Sequence, residues 1–251
     1  AVAYPGRSGG DLPALRWLLE RRRFRFDAER YAAGEAYMAD RGVAQFWIPK
    51  SPYMTLAQQW MNFDAFTYAI VDQPEEMAAL MAAIDATYDE LYEQLCAAQA
   101  PIVNFGENLA SAYFSPALFD RYMLPWYEKR VAQLRGAGIY SHIHIDGYFK
   151  PLLDCVKRLP HDGLEALTPL PQGDVTMDEM AEAVGDRVLL DGIPAILFLE
   201  HHPPEQLEGC VRELIARFPR LVLGISDELP QAATDEGYER MKRVAEMCGG
   251  G

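Results

Sequence analysis

Residues 138 to 147 read Gly-Ile-Tyr-Ser-His-Ile-His-Ile-Asp-Gly. Ile139, Ser141, Ile143 and Ile145 alternate with Tyr140, His142, His144 and Asp146, a period of two. That period predicts a strand with one aliphatic side and one side carrying two imidazoles and a carboxylate. Inward strand positions are apolar unless something polar is bound there. Three ionisable groups in register, ending at Gly147, therefore point to a site at the strand's C-terminal mouth. An edge strand with its polar side in water has the same alternation, and the pattern alone leaves that alternative open.

On both sides of this strand, short aliphatic runs alternate with helical segments. Strands are predicted at 45–48, 102–105, 163–167, 188–190 and 221–224. Helices are predicted at 11–22, from Asp27 to Arg41, over 55–68, at 116–134, from Pro151, at 204–218 and from about 234. A long helix over 72–99 is opened by Asp72 as N-cap and Pro74 as first residue. Thr176 and Glu179 have capping-box spacing, and Gly185 stops the helix they start. The result is six β-then-α units with the crossover lengths of a parallel sheet. Without a Gly-rich phosphate turn, such repetition favours a TIM (β/α)8 barrel over a doubly wound sheet. The chain reads as one barrel domain over 1–251, helical over 1–45 and built of six βα units over 46–251. A closed barrel has eight strands. Either the first two lie within 1–45 or they precede Ala1, and the absence of Met at position 1 favours the second.

Composition narrows the partners. Lys and Arg number 23 against 37 Asp and Glu, a formal charge of −14, and the basic residues gather mainly at Arg21, Arg22 and Arg23. That is too few for a surface that tracks phosphates, so nucleic acid is excluded as a partner. The longest apolar runs, such as 187–198, are interrupted by Asp191 and Pro194 and fall short of the roughly 20 residues a membrane span needs. With no secretory segment either, the expected location is the cytoplasm. Cys96, Cys155, Cys210 and Cys248 form no C-x-x-C pair and read as reduced core thiols.

In a barrel of parallel strands, the groups at the C-terminal strand ends meet. Here these are Lys50 and Ser51, Glu107 and Asn108, His142, His144 and Asp146, Glu165 and Thr168, Asp191, then Ser226, Asp227 and Glu228. Several carboxylates at one mouth repel one another unless protons or a cation compensate. A divalent metal does this economically: His144 and Asp146 sit two apart on one strand face, and Asp227 closes the set from the last strand. A metal-free hydrogen-bonded network would use the same residues. Other features are expected to be bland. His201-His202 reads as a solvated loop and His161 as a surface turn residue, while Met77, Met81 and the aromatics of 113–127 have core spacing.

The order of these stretches resembles the uroporphyrinogen decarboxylase superfamily, in particular its branch of corrinoid-dependent methyltransferases. The resemblance runs from about Trp47 to the end. Residues 48–57 (I-P-K-S-P-Y-M-T-L-A) are like the family's G-P-F-T-L-A, and 105–109 are like its G-D-D-L. The stretch S-P-A-L-F-D-R-Y-M-L-P-W-Y at 115–127 is like S-P-E-x-F-x-x-x-x-L-P-Y; D-Q-P-E-E-M at 72–77 and the stretch 144–153 also match. The resemblance implies a TIM barrel with its site at the C-terminal mouth.

Zinc-dependent members of that branch carry H-x-C-G before P-L-L, and a second Cys in G-x-G-C-E-x-P. This chain has His144-Ile145-Asp146-Gly147 before Pro151-Leu152-Leu153, and Gly224-Ile225-Ser226-Asp227-Glu228-Leu229-Pro230. Both thiolates have become carboxylates. The resemblance therefore implies an altered, oxygen-richer site, in which Mn²⁺, Fe²⁺ or Mg²⁺ competes with Zn²⁺. It implies transfer of a methyl group between a small methylated donor or thiol and a corrinoid protein, with His144, Asp146 and Asp227 as ligands. Glu107 would be a further ligand or base, and His142 a neighbour that orients a ligand. Two other readings stay open: decarboxylation of a porphyrinogen or smaller carboxylate, and a binding barrel without chemistry. Ala-, Met- and Tyr-rich helices at 78–98 and 116–130 leave room for a homo-oligomer face.

Overall fold

The computed structural model describes residues 4–98, 100–226, 228–231, 233 and 235–249. It is an α/β chain with six parallel strands among the described residues: β1 (Phe46–Ile48), β2 (Ile102–Leu109), β3 (Tyr140–Ile145), β4 (Gly163–Glu165), β5 (Val188–Ile193) and β6 (Leu221–Ile225). Parallel neighbours need crossovers, and helices supply them, giving the β/α-barrel type of fold. No helix among the described residues is long and apolar enough to cross a membrane. The chain divides into two compact units, Ala1–Glu107 with Pro116–Ser141, and Asn108–Ser115 with His142–Gly251.

In the first unit β1 lies parallel to β2, with Phe46, Trp47 and Ile48 opposite Val103, Asn104 and Phe105. β2 is longer than the predicted 102–105, so Gly106, Glu107 and Asn108 belong to the strand and not to its exit loop. Gly106 looks like a strand terminator in sequence. In the fold it is a close approach: a Cβ there would come within 1.9 Å of the Trp47 ring.

The predicted helix over 72–99 is two helices, Pro74–Ala86 and Asp89–Ala98, and Asp72 ends the preceding helix, leaving Gln73 as N-cap. Between them Thr87 Oγ1 bonds back to the Ile84 carbonyl at 2.7 Å, and the buried Tyr88 sends its hydroxyl to the Lys50 carbonyl at 3.1 Å. The predicted helix at 116–134 widens into a π-turn over Phe119–Met123, where Leu124 N–H bonds to the Phe119 carbonyl. Pro125 follows immediately and has no N–H to donate, so the wider turn accommodates it.

In the second unit β3 to β6 pair in sequence order. His142, Ile143 and His144 stand opposite Gly163, Leu164 and Glu165. Asp191 and Gly192 stand opposite Leu223 and Gly224. The Thr176–Glu179 capping box is present, and Gly185 ends that helix at φ +60°. The Arg187 guanidinium lies across the C-terminal ends of two helices. It donates to the carbonyls of Val156, Leu159, Ala183 and Val184, groups a helix end leaves without partners. β4 is shorter than predicted because Ala166 turns the chain at φ +63°. β5 runs on past the predicted 188–190, through Asp191 to Ile193.

His161, expected on the surface, is buried. Its turn leads straight into the ladder, Val188 N–H bonding to the Asp162 carbonyl at 3.0 Å, so it is covered with the strand it feeds. Of the cysteines only Cys155 is a buried thiol; Cys96 and Cys210 are half-buried and Cys248 is exposed, and all four are free.

Arg130 ties the first unit together. Its guanidinium is buried, bonds to Asp85 and to Asp89 at 2.7 Å, and lies 4.5 Å from the centre of the Tyr92 ring. Trp126 Nε1 and Lys129 Nζ also donate to Asp85, at 2.7 and 2.6 Å. Burial alone would raise the Asp85 pKa, but Lys129 and Arg130 outweigh it and hold the carboxyl below its ordinary range. Arg130→Ala leaves the half-buried Asp85 with Lys129 and Trp126 alone, and urea unfolding should show a loss of roughly 2–3 kcal/mol. Asp89→Ala, at an exposed acid, should cost about 1 kcal/mol or less. Asp85 is more acidic folded than unfolded, so its contribution is present above about pH 4 and lost as pH falls through the folded pKa. In Asp85→Asn that part of the acid dependence should vanish.

Candidate functional site

Each unit carries one buried polar cluster at its strand ends. In the first unit the cluster is built on Glu107, near the end of β2, whose carboxylate is fully buried. Ser51 donates to it twice, through its backbone N–H and through Oγ at 2.6 Å, and Tyr127 donates its phenol at 2.8 Å. Ser51 also caps the helix Pro52–Thr55, accepting from Met54 N–H at 3.2 Å, which fixes its rotamer. Lys50 lies close by and donates to the Gly106 carbonyl. Burial pushes the Glu107 carboxyl up; Ser51, Tyr127 and Lys50 pull it down without cancelling the shift. Tyr127 is raised far above a normal phenol by burial and by Glu107. Glu107 is thus a carboxyl drawn toward its protonated form while donors support the charged one, the balance a proton-holding group needs. Tyr127 reads in sequence as one more core aromatic, and only the fold puts its hydroxyl on Glu107.

In the second unit the cluster is built on β3 and β4. Their register sets Glu165 beside His144, with Nδ1 to Oε2 at 3.0 Å, and the other carboxylate oxygen stands 3.8 Å from His142 Nδ1. All three side chains are buried. A carboxylate acceptor selects the Nδ1–H tautomer of His144 and puts its lone pair on Nε2. His142 is lowered by burial, raised by Glu165 and lowered again by His144; the net direction is down, so it is neutral at pH 7. Gly163 makes room for it, since a Cβ there would come within 3.1 Å of His142 Cβ.

Asp146 lies just past the end of β3 and is half-buried. Its N–H bonds to the Leu109 carbonyl at 2.8 Å, and Asn108 Nδ2 approaches its carboxylate at 3.4 Å. Ser226 is turned to the Ala166 carbonyl at 2.7 Å. Gly224 lets the Asp191 carboxylate lie over β6, because a Cβ at 224 would meet Asp191 Oδ1 at 2.3 Å.

The backbone at these strand ends is left-handed: Asn108 at φ +53°, Gly147 at +63°, Ala166 at +63° and Asp191 at +71°. Three of the four are not glycine, and strain of that kind is held where surrounding structure enforces it, commonly at functional sites.

His142 and His144 are therefore brought together, and Glu165, a strand-end residue outside the expected ligand set, is what joins them. Asp227 lies outside the described residues. Among the described residues no three His, Cys, Asp or Glu side chains stand together in a group that could hold a metal ion. The donor types suit a divalent ion: an imidazole oriented by a carboxylate through its other nitrogen, with an acid just past the strand end. His201 and His202 lie in a loop, their rings 4.5 Å apart, with His202 bonded to Gln206.

Residues 50–245 match the family model described as uroporphyrinogen decarboxylase (URO-D). No curated protein matches the sequence. Among solved structures the chain is similar to a methyltransferase from Methanosarcina mazei, with a TM-score of 0.64 and 11% identity over 99% of this chain and 72% of that one. It is also similar to a B12-independent methionine synthase from Shewanella sp. W3-18-1 in complex with selenomethionine, with a TM-score of 0.61 and 13% identity over 91% of this chain and 68% of that one. At these identities the likeness to the two methyltransferases is one of fold. The family match covers most of the sequence, and the chain belongs to the uroporphyrinogen decarboxylase family.

Proposed function

We propose that the protein is a metal-dependent methyltransferase of this family, moving a methyl group between a small methylated donor or thiol and a corrinoid protein. The observation that carries the reading is the His144–Glu165 contact. It holds one imidazole nitrogen by a carboxylate where the methyltransferase-like H-x-D-G stretch begins, the arrangement that sets the other nitrogen toward a Lewis acid. His144, Asp146 and Asp227 would hold the ion. Two carboxylates in place of two thiolates favour harder ions, so Mn²⁺, Fe²⁺ or Mg²⁺ competes with Zn²⁺. Bound there, the ion would act as a Lewis acid that lowers the pKa of a thiol.

The chain's own residues do the rest. Glu165 keeps the His144 ring oriented. His142, neutral and buried, fills the place beside it without adding charge. Glu107 is the acid–base group, and being fully buried it exchanges its proton through Tyr127 or Ser51.

A second reading is metal-free decarboxylation of a porphyrinogen or smaller carboxylate. The family's own description and the upward shift of the Glu107 carboxyl, which suits a proton donor, favour it. Turnover of such a carboxylate undiminished by a chelator would select it over methyl transfer.

Protein purified without added metal should carry about one divalent ion per chain, read by elemental analysis, and His144→Ala should lose it. Glu165→Gln should weaken metal affinity by roughly 10- to 100-fold. No stoichiometric metal in the parent protein sinks the ligand assignment. Glu107→Gln preserves the shape of the Ser51 and Tyr127 contacts and removes the acid. Turnover should fall by roughly 10²- to 10⁴-fold with the circular dichroism spectrum unchanged, and an unaffected rate would remove Glu107 from the chemistry.

A further inference from the structure

A groove of about 390 Å³ runs between two helices of the first unit, a volume within the range of small-molecule sites. One wall is the face of the helix Pro74–Ala86 that carries Ala78 and Ala82. The other carries Arg121 and Tyr122, from the π-turn Phe119–Met123, and Pro125 and Trp126, from the helix Leu124–Gly136 that continues it. Spacings of four residues put each set on one helix face. The hollow exists because two exposed alanines, one turn apart, share the groove with two aromatic side chains. It lies over β2, whose Phe105 ring is centred 5.9 Å from that of Trp126.

Charged side chains stand at both ends of the groove, and one end is already balanced. There Asp85, the acid in the lining, accepts from Trp126 Nε1 at 2.7 Å and Lys129 Nζ at 2.6 Å, and pairs with Arg130. Arg121 precedes Lys129 by two turns, roughly 12 Å along the axis. Its guanidinium lies 4.9 Å from the centre of the Tyr122 ring and has no ion-pair partner among the described residues, in a chain with 37 acidic ones. The Tyr122 hydroxyl is shielded from solvent and has no hydrogen-bond partner among them either. A shielded phenol without an acceptor is rare in a folded protein. An acid group at Arg121 would supply both the missing counter-charge and an acceptor.

We propose that this groove binds a small anion with an apolar chain, its carboxylate or phosphate paired with Arg121 and its chain lying over Ala78 and Ala82 against Trp126. The site is built entirely from the first unit and is independent of the metal and of the methyl-transfer reading.

Calorimetric titration of the intact protein with octanoate and with octyl phosphate tests it, beside the neutral octanamide. At least one anion should bind saturably at one per chain and at least about tenfold more tightly than the amide. Preference for octanoate or for octyl phosphate tells a carboxylate ligand from a phosphate one. Arg121→Gln, a change at an exposed position, should bring the affinity for the anion down to that for the amide. Ala82→Leu puts a good helix former at another exposed position and fills the hollow, so it should weaken anion and amide alike by about tenfold or more, and Ala78→Leu should do the same from one turn away. Circular dichroism of each variant should match the parent. Failure of both anions to bind at millimolar concentration, equal binding of anion and amide, or unchanged affinity in the folded Arg121 or alanine variants overturns the proposal.

Discussion

The contact between Glu165 and His144 fixes the arrangement of the buried ionisable groups of the second unit. Taking a carboxylate and two imidazoles out of water is costly unless each finds a partner, and parallel pairing of β3 with β4 provides one by register. A shift of one residue in that pairing would point Glu165 to the other side of the sheet and leave the histidines facing aliphatic neighbours. Burial keeps His142 uncharged, while the Glu165 carboxylate fixes which nitrogen of His144 carries the proton. A neutral imidazole beside one oriented by a carboxylate is the ground on which a metal reading stands, whichever ion is preferred.

Glu107 shows a different balance. Three hydrogen-bond donors converge on its carboxylate, and in water that number would make it more acidic. Complete burial works the other way and prevails. Donors from Ser51 and Tyr127 therefore hold the geometry of the acid while the surrounding apolar core sets its proton affinity. The two buried clusters are opposite answers to one constraint: one carboxylate is matched with an imidazole, the other is surrounded by neutral donors.

Outside these clusters, the charges that matter to folding are a few arginines, of which Arg130 and Arg240 are buried and Arg187 is half-buried. Arg130 joins the helices on either side of the Thr87 break through Asp85 and Asp89, Arg187 closes two helix ends, and Arg240 donates to the carbonyls of Leu197, Leu199 and His202. Guanidinium suits this work because its planar set of donors satisfies several fixed carbonyls at once. The strand ends carry the opposite feature, residues held in left-handed backbone at Asn108, Ala166 and Asp191, where the fold tolerates strain in order to turn side chains.

The periodicity of the sequence determined the fold class, because aliphatic runs buried on both faces and capped amphipathic stretches leave a parallel α/β arrangement as the way to bury them. Thr176 with Glu179, Pro204 and Gly185 placed helix ends to within a residue, since caps act locally. The motifs at 48–57, 105–109 and 115–127 carried the family. Other features were decided by tertiary contacts alone. Gly106 reads as the end of a strand until Trp47 is laid across it. His161 reads as a surface turn until β4 and β5 pair beside it. The helix predicted over 72–99 breaks where the Tyr88 hydroxyl finds the Lys50 carbonyl, far away in sequence. The joining of His142 and His144 through Glu165, and of Glu107 with Tyr127, depends on residues about twenty apart in sequence meeting through strand register and helix packing. Local propensity carries no information about such encounters.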